Sequence, residues 1–116
     1  MGAAVAIKMN KRRYKLDLTS PSENCEKLAN ELGGITVRGK AENAADTQAL
    51  FDATMEKYRR IDSLLIHVGG PPIGDLLDIA DEDWIKANEM VLLPVITMSK
   101  LVTPIMKDQG VVSIVI

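Results

Sequence analysis

The sequence predicts an α/β fold built around a parallel sheet. Short β-branched or apolar runs at Ala3-Ala4-Val5-Ala6-Ile7, Ile35-Thr36-Val37-Arg38, Asp62 to Val68 and Val111 to Ile116 alternate with segments of helical periodicity. The run from Asp62 to Val68 is apolar throughout its middle, as in a strand buried on both faces of a sheet. That alternation implies crossover helices joined by right-handed connections. At 116 residues the chain is long enough for one core and too short for two, so residues 1–116 read as a single domain.

The first run, Ala3 to Ile7, is expected to be a buried strand leading into an exposed basic loop, Lys8-Met9-Asn10-Lys11-Arg12-Arg13-Tyr14-Lys15. Ser20-Pro21-Ser22-Glu23 then opens a helix, with Ser20 as cap, Pro21 in the first turn and Glu23 reaching back to the cap amide. Cys25, Leu28, Ala29 and Leu32 share one face of that helix, and Gly33-Gly34 can end it. After the run Ile35 to Arg38, Asn43 and Asp46 can cap a second helix whose Thr47, Leu50, Phe51, Thr54 and Tyr58 lie on one side. A long helical pattern runs from Asp81 to about Lys107. Pro94 should kink it at a cost of roughly 3 kcal/mol if uncompensated, and Gly110 breaks it before the last strand.

Composition narrows the function classes. Apolar residues make up 47% of the chain and charged residues 26%, and a formal charge of -2 offers no global attraction to nucleic acid or an anionic membrane. One cysteine, Cys25, excludes an intramolecular disulfide and a Cys-based metal cluster, and a single histidine, His67, cannot complete a zinc site alone. No metal is expected, and a reducing, cytoplasmic setting fits best. The unbroken apolar runs fall short of the roughly 20 residues of a membrane span, so the protein reads as soluble and untargeted.

The ordered set Arg60-Ile61-Asp62-Ser63-Leu64-Leu65, Gly69-Gly70-Pro71-Pro72-Ile73-Gly74-Asp75, Asp81-Glu82-Asp83-Trp84 and Thr103-Pro104-Ile105-Met106 resembles the short-chain dehydrogenase/reductase family. Within that family it is similar to the branch with a Gly-Gly-Pro-Pro loop, the 3-oxoacyl-(acyl carrier protein) reductase-like proteins. The resemblance covers residues 44–116 well and the first 43 loosely. It implies an incomplete Rossmann-like parallel sheet, β-α-β-α-β-α-β, running from the family's second strand to its fifth.

Several family features are altered or missing. The Asn-Asn-Ala-Gly that the family places after its fourth strand is Ile66-His67-Val68-Gly69 here, and the adenine-contacting Asp aligns with Lys40, a cation that cannot accept a hydrogen bond. None of the eight glycines forms the Gly-x-x-x-Gly-x-Gly turn that sets pyrophosphate on a helix N-terminus. The family's catalytic Tyr, with a Lys four residues later, has no counterpart: Tyr14 is followed at that spacing by Leu18 and Tyr58 by Asp62. No catalytic residue is assigned.

The cofactor, NAD(P), is implied by resemblance alone. Its contacts would be His67, Gly69 and Gly70 at the end of the strand, with Arg12 and Arg13 just past the second strand where a 2′-phosphate is held. A satisfied strand-end histidine and a solvated basic loop are the simpler readings of the same residues. The loop's prolines remove amides that a phosphate cradle would use, so the loop reads as the wall of a nucleotide cleft.

The apolar circumference of Asp81 to Lys107 implies a homo-oligomer formed through that helix. Loss of the family's first strand should leave two unpaired edges, relieved by a rearranged strand order or an intertwined oligomer. Three functions are compatible with these residues: a truncated reductase-like protein without autonomous catalysis, one component of a split NAD(P)-dependent oxidoreductase, or a nucleotide- or protein-binding regulatory module.

Overall fold

The computed structural model describes residues 1–70 and 73–116. Its order is α1 (Gly2–Lys11), β1 (Asp17–Ser20), α2 (Glu23–Leu32), β2 (Ile35–Arg38), α3 (Ala44–Tyr58), β3 (Leu64–Leu65), α4 (Asp81–Gln109) and β4 (Ile114–Val115). The α/β class is as expected, and the first element is not. Residues Ala3 to Ile7, expected as a strand, belong to α1, and the second-strand position is taken by Asp17–Ser20, in a stretch with no strand expected. Alanine is the strongest helix former, and a short apolar run is ambiguous between helix and strand. The less exposed positions Gly2, Ala6, Met9 and Asn10 repeat with helical, not strand, spacing.

Local signals set most of the other boundaries. The cap of α2 is Ser22 rather than Ser20: the Ser22 hydroxyl accepts from the Asn24 amide at 3.3 Å, while Ser20 Oγ accepts from the Ser22 amide at 3.2 Å and holds the turn before it. Gly33 ends α2 at φ 67°, and the Asn43 side chain caps α3 by accepting from the Ala45 amide at 2.9 Å. In place of a second cap, Asp46 Oδ2 accepts from the Lys40 amide at 2.8 Å and fixes the turn after β2. The start of α4 carries Asp81, Glu82 and Asp83 against the positive end of the helix, and Gly110 closes it at φ 73°. The helix is continuous through Pro94 and Pro104. Near Pro94, the Thr97 hydroxyl donates to the carbonyls of Leu93 (2.9 Å) and Pro94 (3.3 Å).

The four strands form two separate parallel pairs, β1 with β2 and β3 with β4. The strands do not close up into a new order, so the rearranged sheet expected from the sequence is not seen. Instead β1 and β3 line the same cavity. Helix α1 packs with α2, and α3 with α4. Right-handed crossovers that run outward in opposite directions from that cavity place these pairs on opposite faces.

Among the described residues the buried apolar side chains are Ala6, Ala29, Ile66, Ala87, Met98, Val102 and Met106. Four of these lie on α4, where a stripe completed by buried Pro94 faces inward. By length and composition α4 is long enough and apolar enough to cross a membrane, a property its internal prolines and charges hide from a count of unbroken runs. Gln109 ties its end to the segment before β3: Nε2 donates to the Ile61 carbonyl at 2.8 Å, and Oε1 accepts from the Ile61 amide at 3.1 Å. The radius of gyration is 15.2 Å, above the roughly 13 Å of a compact domain about this long. The shape is elongated, 46 × 31 × 23 Å, its long axis close to the length of the 29-residue α4.

Candidate functional site

Open α/β sheets bind ligands at the C-terminal ends of their strands, and there β3 delivers His67, Gly69 and Gly70. His67 is exposed, following buried Ile66. A Cβ on Gly69 would sit 3.7 Å from Met90 Sδ, whereas one on Gly70 would meet nothing within 4 Å. The N-terminus of α1 opens on the same place, since a Cβ on Gly2 would lie 4.0 Å from His67 Cδ2. Helix α1 therefore turns its unpaired first-turn amides toward the strand end that carries His67. At the end of β1 the hydroxyls of Ser20 and Ser22 are engaged in the turn and cap already described. At the end of β2, Gly39 is pressed onto Asp46, where a Cβ would approach the Asp46 Cβ to 2.5 Å, and the Lys40 side chain is exposed.

Below this mouth is a slot of about 1170 Å³ between β1 and β3. Residues 16–20 form one wall and 63–68 the other, with Ala6 and Met9 of α1 and Phe51, Met98 and Val102 of α3 and α4 over its faces. The face of α3 expected from periodicity, Thr47, Leu50, Phe51, Thr54 and Tyr58, turns into this slot as a unit.

The sequence-predicted site residues are therefore only partly brought together. His67, Gly69 and Gly70 share the mouth. Arg12 and Arg13 do not succeed a strand: they end α1, with the Arg12 amide on the Met9 carbonyl and Arg13 at φ 66°, at the opposite end of the slot where β1 begins. The shift has the same cause as the change in the first element, because a helix running antiparallel to the strands returns the chain to their starting end. The C-terminal end of β1 instead carries Ser20-Pro21-Ser22, with hydroxyls in place of cations. Pro71 and Pro72, and with them the amides expected to be missing from the loop, lie outside the described residues. Beyond them Asp75 organises the chain, its Oδ1 accepting from the Leu77 amide at 3.1 Å, and Ile73, Leu76 and Leu77 are exposed.

The family described as enoyl-(acyl carrier protein) reductase matches residues 1–116, the full length of the chain. The chain belongs to the short-chain dehydrogenases/reductases. No curated protein sequence matches it. Among solved structures it is similar to YwfH, an NADPH-dependent reductase involved in bacilysin biosynthesis, at TM-score 0.88 and 17% identity over 97% of this chain and 50% of that one. It is also similar to a protein assigned as a short-chain dehydrogenase/reductase from Burkholderia xenovorans, at TM-score 0.81 and 22% identity over 97% of this chain and 45% of the other. A protein assigned as a 3-oxoacyl-reductase from Bacillus thuringiensis superposes at TM-score 0.82 with 18% identity, over 97% and 50%. At these identities the likeness is one of fold, and the chain spans about half the length of the structures it matches.

Within this short-chain dehydrogenase/reductase chain both tyrosines lie away from the mouth. Tyr14 is exposed in the link from α1 to β1, and Tyr58 is the last residue of α3, before β3 begins. Both are at the end where the strands start. The Tyr58 hydroxyl is buried without a hydrogen-bond partner. Periodicity places Tyr58 on the correct face of α3, but nothing local in the sequence marks its hydroxyl as unsatisfied. The start of α1 beside His67 likewise escapes the sequence reading, although the alanine-rich run is a signal for it.

Proposed function

We infer that these 116 residues build one wall of an NAD(P)-type nucleotide cleft and do not reduce a substrate on their own. The position of the two phenols carries this inference. Neither Tyr14 nor Tyr58 faces the end of the sheet where His67, Gly69, Gly70 and the start of α1 converge, and neither has a lysine four residues later to lower its pKa. A hydride acceptor held at that mouth would have no phenolic proton donor within hydrogen-bond reach. The cleft wall itself is in keeping with nucleotide contact, because Gly69 and Gly70 permit close approach of a ligand to the backbone and the amides of α1 favour an anion. His67, Gly69 and Gly70 are the residues assigned to that contact. Arg12 and Arg13 lie too far down the slot for it.

NADPH consumption by the purified chain with an enoyl thioester or a 3-oxoacyl thioester is expected to match the protein-free control. Turnover that scales with protein concentration would overturn the assignment. A cytoplasmic setting is proposed on the single free thiol of Cys25.

Helix α4 is assigned a second role, as the contact between two copies. Trp84, Ile85, Leu92 and Ile96 are 45–61% exposed, and a shallow depression of about 390 Å³ lies among Trp84, Ala87, Asn88, Val91 and Leu92. Trp84, Asn88, Leu92 and Ile96 form one ridge at a spacing of four residues, the geometry that packs against a like helix. Light scattering is expected to give a dimer for the wild-type chain and a monomer for Leu92→Glu. A monomeric wild type at all concentrations removes this role.

A further inference from the structure

Residues 1–16 hold five cations, Lys8, Lys11, Arg12, Arg13 and Lys15, and no carboxylate. The formal charge of the whole chain is -2, so its other hundred residues sum to -7, and positive charge is gathered in one place. All five side chains are exposed. Most of them close α1 where the chain turns into β1. The end of α3 reaches the same end of the sheet, ahead of β3, and adds exposed Arg59. Tyr14 and Lys15 of the first stretch and Tyr58 and Arg60 of the second line one cavity, so two stretches far apart in sequence make one basic face. The backbone that carries it is strained at two points. Among the described residues positive φ outside glycine occurs at Arg13 (66°) and Arg59 (54°). Each lies at a helix C-terminal end, where α2 and α4 use Gly33 and Gly110. Glycine adopts this conformation freely and arginine does not. At the end of α1 the Arg13 amide donates to the Asn10 carbonyl at 2.8 Å and the Tyr14 amide to the Met9 carbonyl at 3.2 Å. Asn10 Nδ2 in turn donates to the Leu32 carbonyl at 2.8 Å, which fixes this end of α1 to the end of α2. Two arginines kept in a glycine conformation at one end of the molecule point to a use for their guanidinium groups.

We propose that this basic face docks a carboxylate-rich segment of a partner polypeptide. The carboxylates that follow each stretch are already engaged. Asp17 Oδ1 accepts from the Ile35 amide at 3.2 Å, and Asp62 neutralises Arg60, with Arg60 Nε 3.1 Å from Asp62 Oδ2. Among the described residues none of Lys8, Lys11, Arg12, Arg13, Lys15 and Arg59 is in an ion pair. Guanidinium forks match carboxylates in bidentate geometry. Charge is screened over about 8–10 Å at physiological salt, so the face acts locally despite the net negative chain. Neither residues 10–15 nor residues 57–60 include an aliphatic side chain that could enter a bilayer. One exposed ring, Tyr14, offers no series of stacking surfaces for nucleic-acid bases. A short acidic peptide segment fits these features best.

The test uses the 116-residue chain with a tagged oligoglutamate peptide and its glutamine counterpart. Fluorescence anisotropy is expected to show saturable binding of the glutamate peptide alone, weakened about tenfold when salt rises from about 0.05 M to about 0.5 M. Arg13→Gly combined with Arg59→Gly separates docking from folding. That variant should melt at a higher temperature than the wild type, because glycine relieves both left-handed positions, and should bind the glutamate peptide about tenfold more weakly. Undiminished binding by the variant overturns the proposal, as does absence of binding or equal binding of the two peptides. A lower melting temperature also overturns it, by showing that the arginines serve the fold. Tighter binding to phosphatidylserine vesicles or to duplex DNA than to the peptide replaces the acidic polypeptide with a membrane or a nucleic acid. Self-association at low salt that the same variant abolishes makes the acidic start of α4 in a second copy the occupant, and overturns the proposal as well.

Discussion

Met106→Ala is expected to destabilise the fold by about 2–5 kcal/mol, the range for truncating a buried methionine. Met106 has no solvent exposure and is, with Pro94, one of the two largest fully buried side chains among the described residues. It ends the inward stripe of α4 one turn after Val102, immediately before Gly110 turns the chain into β4. The core has few fully buried side chains, so few neighbours can move in to close the cavity that truncation leaves. Against a total stability of about 5–15 kcal/mol for a typical domain, such a loss would leave a large fraction of the chain unfolded. Urea unfolding monitored by circular dichroism checks this through the midpoint at constant slope. A loss below about 1 kcal/mol would show that α4 is not the main packing element.

Gly34→Ala is expected to cost about 3 kcal/mol by overpacking, more than Gly33→Ala, which reverses the order that backbone conformation alone would give. Gly33 has the left-handed φ of 67°, yet a Cβ there meets nothing within 4 Å, so alanine costs only the conformational penalty of about 1–2 kcal/mol. At Gly34 a Cβ would sit 2.1 Å from the Leu16 carbonyl oxygen and 3.1 Å from its carbon. These are backbone atoms, and that carbonyl also accepts the first hydrogen bond joining β1 to β2, from the Ile35 amide at 3.1 Å. Relieving the clash must separate the two strands, adding a lost hydrogen bond to the overpacking cost. Thermal unfolding of the two variants side by side checks the order. Equal melting temperatures would mean that the contact between α2's end and β1 gives way without cost.

Much of this architecture is legible from local chemistry. Asn43, Gly33 and Gly110 mark helix ends by mechanisms that act within one turn, and Ile35–Arg38 is bounded to the residue because its β-branched side chains lie between two clear breaks. The cap of α2 falls two residues later than the sequence suggests because both Ser20 and Ser22 offer a hydroxyl, and only the turn geometry decides between them. Residues Ala3 to Ile7 are ambiguous because five apolar residues carry too little period to separate helix from strand, and the positions of Arg12 and Arg13 depend on that choice. The Gln109 clamp on Ile61 joins residues far apart in sequence, and no local pattern announces it. The division of the strands into two separate parallel pairs, with no new strand order between them, is not legible, because it depends on how the helices hold the pairs apart.

Amide hydrogen exchange of the free, monomeric chain tests the divided sheet most directly. The Leu64, Ile66, Ile35 and Gly39 amides donate across paired strands and are predicted to be protected, whereas those of Asp17, Thr19 and Leu65 face the slot and should exchange at rates close to those of unstructured peptides. Equal protection of both sets in the monomer would contradict the account, because it would mean that the centre of the sheet is already closed.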